Sequence, residues 1–315
     1  MNRARLASAL LAVALLGIGC SSADKEETQL RVALLPIMDT LPFYVAEQNG
    51  YFADEDIQVE LVPVKSPTER DALMQANEVD GMLTDLPGVG VFNRDTPQVK
   101  VISMARKAYP NAPLFRLLAA PASEIETPVD LAGVKIGVSQ NTVIEYITDR
   151  MLQQSGLTSE QIAVEEITAI PVRFEQLMSG QVQAATLPDP LAQGAVAAGA
   201  KLVVDDSQFT QYSQSVLVFG VEAIADKPNT LAKFLKAWNR AVVDLNSQPQ
   251  AYEDLLIEQG RVPESIQGSY TMPPFPENEI TADAQWRDIV AWLLEKELIS
   301  REIPYEEAVD TSFLQ

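Results

Sequence analysis

From residue 30 onward, short apolar runs alternate with longer amphipathic stretches. This is the rhythm of an α/β protein with mainly parallel sheets. Residues 30–36 (LRVALLP) read as a buried strand and residues 57–64 (IQVELVPV) as an alternating one. Between them Thr40 can cap a helix with Pro42 in its first turn, and Asn49-Gly50 ends it. Ser66-Pro67-Thr68-Glu69 is a capping box that opens a helix through about Ala76. Further strands are predicted at 81–84, 99–104, 134–138, 164–168, 183–187 and 201–206, with helices at 141–154 and near 172–178. The last third is mainly helical, with apolar residues at helical spacing over 230–246, 251–259 and 284–298.

An internal repeat organises this series. Residues 70–87 (RDALMQANEVDGMLTDLP) and 173–190 (RFEQLMSGQVQAATLPDP) align without a gap. Arg70 falls on Arg173, Asn77 on Gly180, Val79 on Val182, and Leu86-Pro87 on Asp189-Pro190. Asn and Gly tolerate the left-handed turn that ends a helix. Each copy therefore reads as helix, tight turn, strand and a proline-bearing loop that starts the next helix, and two copies suggest two similar lobes.

The first residues have a different character. Arg3 and Arg5 precede an apolar run over 6–18, shorter than the about 20 residues a membrane-spanning helix needs. A basic start and a short apolar region read as a secretory signal, followed by Gly17-Ile18-Gly19-Cys20 and a polar stretch over 21–29. Composition narrows the chemistry further. The 315 residues carry 44 acidic and 23 basic side chains, a net charge of −21, which disfavours nucleic acid and anionic headgroups as partners. There is no histidine, and Cys20 is the only cysteine. A conventional zinc or transition-metal site and Ser-His-Asp or Cys-His catalysis therefore lack their essential groups. No cofactor and no catalytic residue is expected.

The segment around Cys20 resembles the lipobox of bacterial lipoproteins, although Gly17 stands where leucine is preferred. That resemblance implies lipidation of Cys20, with residues 1–19 removed as a signal peptide and 20–29 left as a lipidated tether. Farther on, residues 34–64 (LLPIMDTLPFYVAEQNGYFADEDIQVELVPV), 128–142 (PVDLAGVKIGVSQNT), 179–190 (SGQVQAATLPDP) and 227–238 (KPNTLAKFLKAW) occur in order. Together they resemble the nitrate/sulfonate/bicarbonate and thiamine-pyrimidine-precursor group of periplasmic binding proteins, NMT1/THI5-like. Gln183 stands where that family commonly has aspartate.

This likeness implies a type II-like periplasmic-binding-protein fold, with two Rossmann-like α/β lobes joined by two crossover strands. The crossovers would fall at 116–121 and 215–220. Lobe one would combine residues 30–117 and 216–315, and lobe two residues 118–215. The implied function is an exported, membrane-anchored, monomeric protein that captures a small organic molecule or oxyanion between its lobes. It would deliver that solute to the permease and ATPase subunits of an ABC importer. Two other readings are a sensor subunit that presents solute to a membrane receptor, and an enzyme like the pyrimidine synthases. The enzyme branch relies on a histidine and a cysteine-rich motif that are missing here.

Ligands of open parallel sheets sit beyond the carboxyl ends of the strands, where helix N-termini offer free amides. This rule selects four loops: 38–43, 84–88, 139–142 and 186–190. Asp39, Thr40 and Phe43 are candidates for one wall, Phe43 either stacking on ligand or lying in the core. Asp85 and Asp189 can accept from a ligand amine or act as ordinary caps. Ser139, Gln140, Asn141 and Thr142 form a polar lip, and Thr186 precedes the fourth loop. Arg106 can clamp a carboxylate or sulfonate, as Arg116 and Arg173 can, or sit in a structural ion pair. The sign of the ligand's charge stays open.

Overall fold

The computed structural model describes residues 27–314. The signal segment, Cys20 and all but the end of the expected tether lie outside the described residues. Residues 27–29 belong to the folded body. Gln29 opens the first strand, and the carbonyl of Thr28 accepts the Gln58 amide at 2.9 Å.

Ten strands form two five-stranded sheets. The first contains β1 (Gln29–Leu34), β2 (Gln58–Pro63), β3 (Gly81–Asp85), β4 (Val99–Lys107) and β10 (Gln214–Gly220), in the order β2-β1-β3-β10-β4. The second contains β5 (Phe115–Ala119), β6 (Lys135–Val138), β7 (Ala163–Glu166), β8 (Ala184–Pro188) and β9 (Lys201–Asp205), in the order β7-β6-β8-β5-β9. In each sheet four strands run in one direction, and one inserted strand (β10 or β5) runs antiparallel to both of its neighbours. The chain passes between sheets through segments 108–114 and 206–213. The stretches where crossover strands were expected are the strands that receive each passage: β5 lies within the second sheet and β10 within the first.

The sequence repeat is a structural repeat. The helices Pro67–Gln75 and Ile170–Met178 occupy the same place before β3 and β8. Asn77 and Gly180 take positive φ values of 55° and 74° at equivalent turns. Ser66 caps the first of these helices by accepting the Glu69 amide at 3.2 Å, while the Glu69 carboxylate accepts the Lys65 amide at 2.8 Å. Replacing such a cap by alanine typically costs about 1 kcal/mol. Arg70 and Arg173 are both buried, and each donates to a backbone carbonyl of its own lobe, Leu83 in β3 and Ile167 just after β7.

The first sheet is covered on both faces. On one, Phe43 and Phe219 pack with Phe234 and Trp238 of the helix Pro228–Ser247. On the other, Val89 meets Trp286 and Leu293 of the helix Asp283–Glu295. Fully buried side chains of this size each stabilise by about 1.5–3 kcal/mol. C-terminal helices thus complete the first lobe, while the second sheet is covered by helices 143–154, 170–178 and 191–197.

Candidate functional site

The strand ends bring charged groups of both lobes together. In the first lobe β1 runs into a turn that carries Asp39, β3 ends at Asp85, and Arg106 lies near the end of β4. Ser215, near the start of β10, is the register partner of both Asp85 and Arg106. Opposed residues in antiparallel pairs share a face, so Asp85, Ser215 and Arg106 form a polar row across the sheet's end.

Arg106 is 0% exposed, and its Nε, Nη1 and Nη2 have no hydrogen-bond partner among the described residues. The Asp39 carboxylate lies 3.5 Å from Nη1, and the Phe275 ring centroid 5.2 Å from the guanidinium carbon. Across from it, Arg116 of β5 grips Asp189 in a two-point pair, both contacts 2.8 Å. That pair holds the Arg116 guanidinium above its usual pKa. Tyr270 is close enough to feel both sets. Its hydroxyl contacts the Met38 sulfur at 3.7 Å, and burial drives its phenol pKa well up, with Arg106, Asp189, Arg116 and Asp39 all acting on it. Two cations and two anions, one of each from either lobe, therefore act on one half-buried phenol.

The remaining expected site residues fall into two groups. Asp85 accepts the Gly88 amide at 2.8 Å, and the amide of Val143, the first residue of helix 143–154 in the opposite lobe, also acts on its charge. Burial nonetheless raises its pKa. At the polar lip Ser139 accepts from Arg173 at 3.0 Å and donates to the Thr168 carbonyl at 3.1 Å. The Gln140 amide donates to Glu166 and the Asn141 amide to Glu145, both at 2.7 Å. Asn141 adopts a positive φ of 62°. Thr142 caps its helix through the Ile144 amide at 3.1 Å. Burial lowers the Arg173 pKa to about 10.

Three of the residues are occupied inside their own lobes. The Thr40 hydroxyl donates to the Ile37 carbonyl at 2.7 Å, and Thr40 does not cap with its side chain. Phe43 is 0% exposed and meets Trp238 edge-on at 4.8 Å, which puts it in the core instead of on a ligand wall. The Thr186 hydroxyl lies 2.6 Å from that of Thr148, both fully buried.

Tyr270, Phe275 and Ser215 escaped the sequence reading. The first two sit in an irregular segment, 267–282, with no periodicity to read. A long structureless stretch inside a compact domain, here bearing two aromatics and three prolines, is itself a functional signal.

Away from this site the lobes are also clamped directly. Lys296 pairs with Glu145 and Asp149 at 2.8 Å each, Trp292 Nε1 donates to Asp149 at 2.8 Å, and Arg150 donates to Asp288 at 2.8 Å. The Tyr146 ring stands edge-on to Trp292 at 5.5 Å, its hydroxyl donating to Asp288.

Two lobes of equivalent topology, joined by two passages and meeting along a boundary that carries charges of both, define a periplasmic-binding-protein fold. Residues 37–252 match the family described as NMT1/THI5 like, and the chain belongs to that family. The formylaminopyrimidine-binding protein of Halalkalibacterium halodurans is 26% identical over 174 residues, 53% of this chain and 51% of that protein. The chain thus spans about half the length of this relative. A protein of Haemophilus influenzae named for thiamine biosynthesis is 24% identical over 264 residues, covering 82% and 77% of the two chains. Among solved structures, the alkanesulfonate-binding protein of Xanthomonas axonopodis pv. citri superposes with a TM-score of 0.75 at 15% identity, over 91% of this chain and 100% of that one. A desulfurization enzyme shares the fold as well, with a TM-score of 0.69 at 15% identity, over 91% and 97%. Likeness at these identities establishes the fold, and several of these proteins are named as binding proteins.

Proposed function

We propose that this chain is an exported solute-binding lipoprotein that captures a small molecule between its lobes and hands it to an ABC importer. One observation supports this above the rest: the strand ends of the two lobes each carry an ion pair, Asp39 with Arg106 and Asp189 with Arg116, and all four charges act on Tyr270. Only a two-lobed arrangement assembles those groups, and separation of the lobes about segments 108–114 and 206–213 takes them apart. The candidate ligand-binding residues are Asp39, Arg106, Asp189 and the lip over 139–142, joined by Tyr270 and Phe275. Asp85 sits at the lobe boundary. Membership of a family that contains importer components supports the partners, a permease and an ATPase. The sequence around Cys20 supports export and lipidation.

A binding role without catalysis fits the same site. A chain without histidine, and with its single cysteine at position 20, has none of the usual nucleophile and base pairs to offer a bound molecule. A thermal-shift screen of the purified protein against organic anions, sulfonates, pyrimidines and related heterocycles tests the reading. A solute at 100 times its dissociation constant adds about 2.7 kcal/mol, a rise of a few degrees at this size. Absence of any saturable shift, in protein unfolded and refolded to strip carried-over solute, overturns solute capture. A neighbouring gene for a histidine kinase, in place of permease and ATPase genes, would redirect it to sensing.

A further inference from the structure

Two helix faces meet across the lobe boundary with matched spacing. On helix 143–154 of the second lobe, Glu145 and Asp149, and beside them Tyr146 and Arg150, stand one turn apart on one side. On helix 283–295 of the first lobe and its cap, Asp288, Trp292 and Lys296 follow one another at the same interval. Each stripe lends the other a cation: Lys296 reaches Glu145 and Asp149, and Arg150 reaches Asp288, all at 2.8 Å. Within the same stripes Tyr146 and Trp292, both buried, meet edge-on at 5.5 Å. Ser159, farther along the second lobe, adds a hydrogen bond to Glu295 at 3.0 Å.

The stripe is also joined to the polar lip. Glu145 accepts Lys296 with one carboxylate oxygen and the Asn141 amide, at 2.7 Å, with the other. Asn141 is the lip residue with a left-handed φ of 62°, so an ammonium of the first lobe steadies a turn of the second. The lobes touch through helix 191–197 as well: a Cβ on Gly194 would fall 2.7 Å from Cγ of Pro263, in the C-terminal third.

We propose that the two facing stripes are a latch, which holds the lobes shut through the protein's own side chains and populates the closed form without solute. The contacts span the boundary, so rotation of the lobes about segments 108–114 and 206–213 has to break them. Glu145 and Asp149 are each 5% exposed and Arg150 is 11% exposed, so these charge-assisted contacts outweigh ordinary surface ion pairs. The apparent affinity of any solute that binds closed lobes is scaled by the fraction of protein already closed, and the latch sets that fraction. The latch rests on the two-lobed reading above and not on the nature of the solute.

Small-angle scattering of the purified protein, unfolded and refolded to strip carried-over solute, tests this. The unaltered protein should scatter as the closed structure does. Arg150→Glu should shift the closed-to-open ratio by about 10-fold or more toward open, because it replaces a charge-assisted pair by a repulsion. Adding Asp288→Lys to that variant restores the pair with its charges exchanged and should return the closed profile. Lys296→Met with Glu145→Gln and Asp149→Asn removes the other pair without stranding a buried charge, and should part the lobes too. If Arg150→Glu does not fold, this triple variant decides the question. Parted lobes in the unaltered protein, a closed profile in the triple variant, or failure of Asp288→Lys to restore closure each overturns the latch. None of these results touches solute capture, which the thermal-shift screen decides separately.

Discussion

The carboxylate of Asp206 accepts the backbone amide of Leu114 at 2.8 Å and so ties together the two passages between the lobes. Its second oxygen accepts the Phe115 amide at 3.1 Å, just where the outward passage enters β5. A residue that opens the return passage thereby fixes the end of the outward one, and the hinge acts as one unit.

This carboxyl is fully buried, and burial raises its pKa to about 7 despite the amides that favour its charge. An unfolded aspartate titrates near pH 3.9. Between about pH 4 and 7 the folded chain therefore holds a proton that the unfolded chain has released. The contribution of Asp206 to stability falls as pH rises through that window, by at most a few kcal/mol. Asp206→Asn mimics the protonated form and cannot titrate. Its melting temperature relative to the parent protein should thus rise from pH 5 to pH 8. Paired melts at the two pH values check this, and a constant difference would refute the assignment.

The clamp around Lys296 gives a second prediction. Glu145 and Asp149 are each 5% exposed, and both depend on an ammonium that is 30% exposed. Lys296→Met leaves two sunken carboxylates uncompensated, which should cost about 1–3 kcal/mol after allowance for the solvent that reaches the lysine. Burial already raises the Asp149 pKa, and losing the cation raises it further, so the penalty should be larger at pH 8 than at pH 5. Denaturation of the triple variant Lys296→Met, Glu145→Gln, Asp149→Asn should show most of the loss recovered.

The repeat predicts an asymmetric exchange. Asn77 and Gly180 hold equivalent left-handed turns at φ 55° and 74°. Gly180→Ala should cost about 1 kcal/mol, because an alanine side chain strains that conformation, whereas Gly180→Asn should cost less. Asn77→Gly should stay within about 0.5 kcal/mol of the parent. Chemical denaturation of the three variants measures this, and equal effects of Ala and Asn at 180 would count against it.

Lipidation at Cys20 predicts a change of fractionation. Cys20→Ser should move the protein from the membrane fraction to the soluble extracytoplasmic fraction without altering its melting temperature in detergent-free buffer. Retention in the membrane fraction would remove the anchor from the proposed function.

Which features were legible in the chain depends on the range over which their signals act. The strands, the cap at Ser66 and the turns at Asn77 and Gly180 are local, and the alternation that predicts them is complete within a dozen residues. The repeat adds the two-lobed plan, because two gapless copies require equivalent surroundings. Phe43 was ambiguous because helix Leu41–Gln48 is buried on most of its surface, and periodicity does not separate core from cleft there. The grip of Arg116 on Asp189, 73 residues apart, arises from the antiparallel pairing of β5 with β8. Tyr270 and Phe275 are placed by a segment without period, so their role becomes visible only once the lobes are assembled.

Asp85 draws a further consequence from its position between lobes. One carboxylate accepts the Gly88 amide in its own lobe and feels the Val143 amide in the other, so it offsets the positive ends of two helices at once. If the lobes part, the second helix loses that anion whatever occupies the cleft. The measured affinity for any solute then contains a constant part written by the protein's contacts with itself. Substitutions at Asp85 should shift the whole scale of affinities together, while those at Arg106 reorder the solutes along it.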